Sequence, residues 1–393
     1  MPALLLPVAE AQARLFAMAP PVTSETMPLH IAAGRWTAQD IIALRTQPAA
    51  NLSAMDGYAV RFDDLPGRLA LIGQSAAGHP FAGSVGPGEA ARIFTGAVLP
   101  EGADSVMVQE EVEVSGDIVR LTGEGPVRGG NIRRAGLDFN AGDVLIARGE
   151  RLTPARIALA AIAGHGTLPV SRRLRVAIVA SGDELARPGE ATGDALPESN
   201  GVMLAALLAD LPVDIVDLGI LPDRLDIITQ AFAGVDADIL VTTGGASVGD
   251  HDLIRPALLA AGGTLDFWRI ALRPGKPMLA GMLRETVALG LPGNPVSAFV
   301  TAFVFLRPLI AAMSGARDPL PVPLTAILGE PLPANDARQD YLRGAMRGGL
   351  VYPADQQDSS LLRTLARADC LIVRPPHVAA AVAGDSVQVL PLA

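Results

Sequence analysis

The residues best suited to chemistry are polar strings at the ends of apolar runs. Thr242-Thr243-Gly244-Gly245-Ala246-Ser247-Val248-Gly249-Asp250-His251-Asp252 follows a strand-like run and precedes a helical one. Its glycines let backbone N–H groups turn around an anion, and a helix N-terminus adds partial positive charge. No Gly-Lys-Ser/Thr closes the string, so it is not a Walker loop. Ser181-Gly182-Asp183-Glu184 ends another apolar run. Carboxylates beside a phosphate loop require a cation between them, and Mg²⁺ held by one or two carboxylates plus phosphate oxygens meets that need. Arg273-Pro274-Gly275-Lys276-Pro277 offers two cations to an oxyanion. Leu291-Pro292-Gly293-Asn294-Pro295-Val296-Ser297 is a stiff turn into a helix, whose first amides can take another anion. Taken singly, each string also reads as a tight turn, a cap or a solvated loop.

The elements that must position these strings alternate strand and helix. Residues 174–180 form a continuous apolar run, as a buried parallel strand requires. Ser199-Asn200 caps a helix through Leu211, and 213–218 is a second strand. A helix over 225–232, a strand over 238–242, a helix over 253–261 and a fourth strand over 265–272 follow. Residues 278–281 and 286–291 read as a short antiparallel pair, and Pro295 opens a long helix through Ala312. This order predicts a right-handed, mostly parallel, three-layer α/β unit with all four strings at the carboxyl edge, where such sheets place ligands.

The flanks differ. Short alternating runs with frequent glycine over 45–140 predict a small β domain. It carries Ser53-Ala54-Met55-Asp56-Gly57-Tyr58-Ala59, Ile93-Phe94-Thr95-Gly96-Ala97 and Arg133-Arg134-Ala135-Gly136-Leu137-Asp138. Helices over 8–18 and 153–163 bracket it and are expected to pack together, making the β domain an insertion in a helical arm. Past a proline-rich linker at 318–323, runs at 324–328, 350–352, 370–373 and 387–390 predict a second β domain. The resulting division is 1–44 and 141–171 for the arm, 45–140 for the inserted β domain, 172–316 for the α/β domain and 322–393 for a C-terminal β-barrel.

Composition narrows the function. The chain of 393 residues is half hydrophobic, enough for sizeable cores. Its net charge of −10 would repel a polyanion, and 4% aromatics leave little for base stacking, so nucleic acid is excluded as a partner. A lone cysteine, Cys370, excludes a disulfide framework or a multi-cysteine zinc site, and the five histidines lack metal-ligand spacing. The first residues lack the basic flank and long apolar core of a signal peptide. The greasy stretch 298–306 is cut by Arg307 and Pro308, at about half the length a bilayer demands. A cytoplasmic location with no membrane contact is expected.

The ordered set of strings 53–59, 95–104, 131–138, 181–185, 244–252, 274–277 and 291–297 resembles the molybdopterin molybdenumtransferase (MoeA) family, which includes the gephyrin E domain. The resemblance covers nearly the whole chain. It implies an elongated homodimer of four-domain subunits that takes adenylylated molybdopterin and molybdate, releases AMP and inserts the metal, with Mg²⁺. It also implies a cleft between the α/β domain and the inserted and C-terminal domains of the dimer partner. Asp56, Thr95, Asp138, Arg273 and Lys276 then fall on catalytic positions. Gly244, Gly245, Ser247, Gly249, Pro292, Asn294, Arg343 and Ser359 fall on pterin-nucleotide-binding positions, and Glu184, Asp223 and Asp252 on metal-binding ones. An adenylyltransferase and molybdoenzyme maturation proteins are the implied protein partners. Three departures stand out: Arg273 where the family has lysine, Leu137 where it often has glutamate, and Gln47-Pro48-Ala49-Ala50-Asn51-Leu52 in place of a proline- and Asp-containing lead. The rival activities are a non-catalytic scaffold for a phosphorylated pterin and a molybdopterin adenylyltransferase.

Overall fold

A computed structural model describes residues 5–244, 253–275 and 277–392. Its centre is a six-stranded sheet of β1 (Leu174–Ser181), β2 (Val213–Leu221), β3 (Ile239–Thr243), β4 (Thr264–Arg269), β5 (Pro277–Leu283) and β6 (Thr286–Leu291). The spatial order is β2-β1-β3-β6-β5-β4. β2, β1, β3 and β6 are parallel, while β5 runs against both β6 and β4. Period-two alternation sorts the side chains into two cores. Leu174, Val176 and Ile178 face one core, against Leu204 and Leu208 of α1 (Asn200–Leu207) and the following residue. Ala177 and Val179 face the other, against Ile228 and Phe232 of α2 (Leu225–Ala233) and Ala257 and Leu258 of α3 (Ile254–Ala260). Three layers result.

Several expected boundaries shift. α1 stops at Leu207 instead of Leu211, and the Ser199 side chain makes no capping bond. The antiparallel pair expected over 278–281 and 286–291 is present as β5 and β6, and β6 is in addition a fully buried inner strand paired in parallel with β3. The run 265–272 is not one strand: β4 ends at Arg269, and Leu272–Arg273 leaves the sheet to pair in parallel with Gln339 and Asp340.

The longest helix was expected to span Pro295 to Ala312, with its apolar stretch interrupted by Arg307 and Pro308. Instead the helical path α4 runs Pro295–Thr301, opens into a π-helical turn at Ala302–Leu306 and resumes over Arg307–Met313. At 19 residues and mean hydropathy 1.9 it is long and apolar enough to cross a membrane, but 83% of it is buried inside the protein. Pro308 has no N–H, so the carbonyl four residues back, that of Val304, loses its helical donor. Gln12 supplies a replacement: its Nε2 donates to Val304 O at 2.9 Å. Gln12 stands on the N-terminal helix Val8–Met18, whose Val8, Ala11 and Leu15 enter the same core as α4. The helix Pro154–Ile162 packs elsewhere, with Ile41, Ile146 and Leu168. The two helices expected to pack together therefore do not.

Between them the chain runs out and back. Ser24–Pro28 pairs with Thr167–Ser171, Ile41–Ile42 with Val144–Ile146, and Leu52–Ser53 with Ile132–Arg133, each pairing nested inside the last. At the far end lies a six-stranded sheet built from strands between Gly57 and Leu121. At the C-terminus, five strands close a barrel, because Gln339–Arg347 pairs with both Leu350–Pro353 and Cys370–Arg374. Gln339–Arg347 was not expected as a strand, since Arg343 and Gly344 interrupt its apolar pattern.

Gln12→Leu leaves the buried Val304 carbonyl unsatisfied. We expect a loss of about 1–3 kcal/mol of α/β stability in chemical denaturation, and a change near zero would show that water or relaxation satisfies that carbonyl instead.

Candidate functional site

Because β1, β3 and β6 are parallel and in register, Ala180, Thr243 and Leu291 end side by side at one edge. The backbone beyond them is crowded. Gly244 adopts φ +85°, and a Cβ there would lie 2.5 Å from Ser181 O. Gly293 sits over it, its own Cβ position 3.5 Å from Gly244 Cα. Only glycine allows this approach at Gly244. Asn200, at the start of α1, ties the arrangement by donating from Nδ2 to Gly293 O at 2.8 Å.

These segments enclose a cavity of about 130 Å³, walled by Ser181, Glu184, Glu198, Asn200, Thr243, Gly244, Gly293 and Pro295 among others. Ser181 Oγ and Asn200 Oδ1 are buried with no partner among the described residues, as is Thr242 Oγ1 one residue before Thr243. Unpaired buried polar atoms are rare and mark a place where a ligand or water completes the hydrogen bonds.

Of the residues expected here, Gly244 and Glu184 line the cavity and Asn294 adjoins it. Pro292 is buried and shapes the turn. Gly245, Ser247, Gly249, Asp252 and Lys276 lie outside the described residues. Asp183 Oδ1 accepts the Asp223 N–H at 3.0 Å, bringing the ends of β1 and β2 together. Among the described residues no three His, Cys, Asp or Glu side chains form a metal nest. Ser181, Glu198 and Asn200 were not singled out as site residues. Asn200 read as a helix cap, and only the approach of Gly293 reveals its other partner.

The barrel reaches this edge within the same chain. Val296 N donates to Ser359 O at 3.1 Å, and Asn294 Nδ2 donates to Ser359 Oγ at 3.1 Å. Ser359 thus meets its own subunit's loop, where the resemblance implied a contribution from the partner's C-terminal domain. Arg343, expected to bind ligand, lies beneath this loop at 1% exposure. Its Nη2 donates to the Asp358 carbonyl at 3.0 Å, while Nε has no partner among the described residues. Desolvation pushes its guanidinium below the usual arginine range. Arg273, expected to meet an oxyanion, is instead spent on the barrel. It binds Asp340, Asp336 at 3.2 Å and Asn335 at 3.0 Å, and the Asp340 carboxylate raises its pKa. Its charge is already neutralised, and its planar fork suits joining two carboxylates.

The three strings of the inserted β sheet gather at a second place. Gly96 N donates to Ser53 O and Ser53 N to Ala97 O, both at 2.9 Å, and Ala54 N donates to Asn131 O at 2.8 Å. Asp56 accepts from Thr95 N at 2.7 Å and Thr95 Oγ1 at 2.8 Å. The backbone N–H of Thr95, then its hydroxyl, hold the Asp56 carboxyl below its ordinary range, with Arg92 assisting. Asp138 is exposed and fixed through its N–H to Gln47 O at 3.0 Å. The hydrogen bonds of Asp56, Thr95 and Asp138 are thus to residues of the β region itself.

Fold and site together define a multidomain protein with a polar cavity at the carboxyl edge of a three-layer α/β unit, backed by a five-stranded barrel. Family models agree along the chain: MoeA N-terminal region (domain I and II) at residues 6–164, a probable molybdopterin binding domain at 177–312 and MoeA C-terminal region (domain IV) at 325–392. The molybdopterin molybdenumtransferase of Haemophilus influenzae is 36% identical, over 98% of each chain. Molybdopterin molybdenumtransferase 2 of Mycobacterium tuberculosis is 34% identical, over 93% of this chain and 94% of its own. The crystal structure of the molybdopterin biosynthesis moeA protein of Pyrococcus horikoshii superposes with a TM-score of 0.86 at 27% identity, covering 99% of this chain and 100% of that one. The chain belongs to the molybdopterin molybdenumtransferase (MoeA) family.

Removing the Thr95 hydroxyl tests the Asp56 pair. In Thr95→Ala the carboxyl should titrate higher, yet still below the ordinary value, because the backbone N–H remains. A depressed carboxyl adds stability above its unfolded pKa and loses it as pH falls through the folded one, so in the variant the loss should start at the same pH, be smaller and be complete at a higher pH. Carboxyl ¹³C titration by NMR reads the shift, and an unchanged midpoint would contradict the pairing.

Proposed function

We propose that this chain inserts molybdenum from molybdate into adenylylated molybdopterin, forming molybdenum cofactor and releasing AMP. The observation that carries this reading is the cavity at the carboxyl edge, with buried unpartnered polar atoms and a barrel serine hydrogen-bonded to its rim.

The chain's residues divide the work. Gly244 and Gly293 keep side chains away, so a ligand can approach the strand ends closely. The loop continuing through Gly245, Ser247 and Gly249 would cradle phosphate with its N–H groups. Lys276 would supply the cation for molybdate or phosphate, since Arg273 is engaged. Asn294 and Ser359 hold the turn into α4 against the barrel, and Arg343 holds the Ser359 loop from below. Glu184 and Asp223, with Asp252, would hold Mg²⁺. A hydrated Mg²⁺ takes one or two carboxylates plus ligand phosphates, so a ready-made nest of acids is not required. Bound there, the metal would neutralise phosphate charge as the anhydride breaks.

Asp56 is a poor proton acceptor near neutral pH, because a base works best with a pKa near the working pH. Its ionised oxygens suit orienting the attacking water, and Asp138 on the third string would add a second carboxylate. Water adds to phosphorus, the bond to the bridging oxygen breaks and AMP departs. In this reading Asp56, Thr95 and Asp138 reach the α/β edge from the other subunit of a homodimer. The exposed Ile42, Leu44, Val144 and Ile162, gathered on the arm where Ile42 pairs with Val144, support that association. A cytoplasmic location, an adenylyltransferase upstream and molybdoenzyme maturation proteins downstream complete the proposal.

Single-turnover incubation with adenylylated molybdopterin, molybdate and Mg²⁺ should release one AMP per site, with molybdenum retained on the pterin. Asp56→Ala should slow it on the order of a hundredfold or more. Absence of AMP with wild-type protein would favour a scaffold, and adenylylation of molybdopterin from ATP would favour the adenylyltransferase.

A further inference from the structure

We infer that Asn200 reads the N–H edge of the pterin ring, making the small cavity a ring-recognition subsite distinct in chemistry from the phosphate loop. This rests on the function proposed above.

Asn200 is 8% exposed, and its amide orientation is set by its neighbour. Gly293 O is an acceptor, so the group facing it at 2.8 Å must be the Nδ2 donor. Oδ1 is therefore the free end, buried and without a partner among the described residues. A lone acceptor calls for a donor. An ionised phosphate carries only acceptors and would be repelled. Glu198 adds a carboxylate acceptor to the same wall, and the unpartnered Ser181 hydroxyl can donate or accept. Glu198 is itself fixed, with Oε1 accepting the Gly201 N–H at 2.8 Å.

Size points the same way. About 130 Å³ is well below the roughly 300–1,000 Å³ of whole-ligand sites, so the cavity admits part of a ligand. The 2-amino group and N3–H of a pterin form a compact donor edge that matches a wall of acceptors. A site built to pair such an edge rejects an analogue lacking it, because the buried acceptor then goes unpaired.

The test compares 6-hydroxymethylpterin with its N2,N2-dimethyl analogue, read by fluorescence titration of the full-length protein, with AMP as a control ligand. Wild type should prefer the unmethylated ring by roughly tenfold, the scale of leaving one buried acceptor unpaired. Asn200→Ala should lose that preference, bringing the two ring affinities to a ratio near one. Asn200→Asp keeps an acceptor oxygen but loses the Nδ2 donor to Gly293 O, so both rings should weaken while the preference between them remains. If Asn200 served only to hold Gly293, both rings would weaken equally in Asn200→Ala and the ratio would not move, which would overturn the inference. Failure of wild type to bind either pterin or AMP would instead count against the proposed function.

Discussion

The site depends on how closely backbone can approach backbone where the parallel strands end. Gly244 passes over the Ser181 carbonyl at a distance no side chain permits, and Gly293 closes over Gly244. Asn200 locks that stack through one hydrogen bond. The consequence is a pocket whose wall is backbone-tight and in which Ser181 Oγ and Asn200 Oδ1 have no partner among the described residues. Parallel register delivers these ends to one edge, and the two cores on either face of the sheet hold the strands that deliver them.

A second constraint joins the barrel to that edge. Asp340 is only 5% exposed in its side chain, and Arg273 neutralises it across the junction. Leu272 and Arg273 also pair with the barrel as a short strand, so covalent continuity, backbone pairing and charge act at one place. From there the barrel presents Ser359 to Asn294 and Val296. Removing charge from Arg273 would therefore loosen a domain junction more than it would change an oxyanion contact.

The α/β unit was legible because buried strands leave continuous apolar runs and the polar strings interrupt them at the sheet edge. What escaped was what other parts of the chain decide. The helix was expected to run past Pro308, but nothing near it in sequence shows that Gln12, nearly 300 residues away, satisfies the carbonyl Pro308 orphans. Arg273 and Lys276 read alike as cations, and only the position of Asp336 and Asp340 assigns Arg273 to the barrel. Asn200 looked like a cap because nothing local in the sequence reveals that its amide reaches Gly293, 93 residues away. Asp56 and Thr95 were found on separate strings, and only their hydrogen bonds show that the acid and the hydroxyl form a pair.

The pocket's placement is tested most directly by a crystal soaked with AMP and molybdate. AMP density along the carboxyl edge formed by the ends of β1, β3 and β6, with a molybdenum anomalous peak on the same edge, is the predicted result. Density instead in the larger cavity of about 790 Å³ between Trp36, Asp210, Arg307 and Pro319, at the opposite end of the strands, would contradict it.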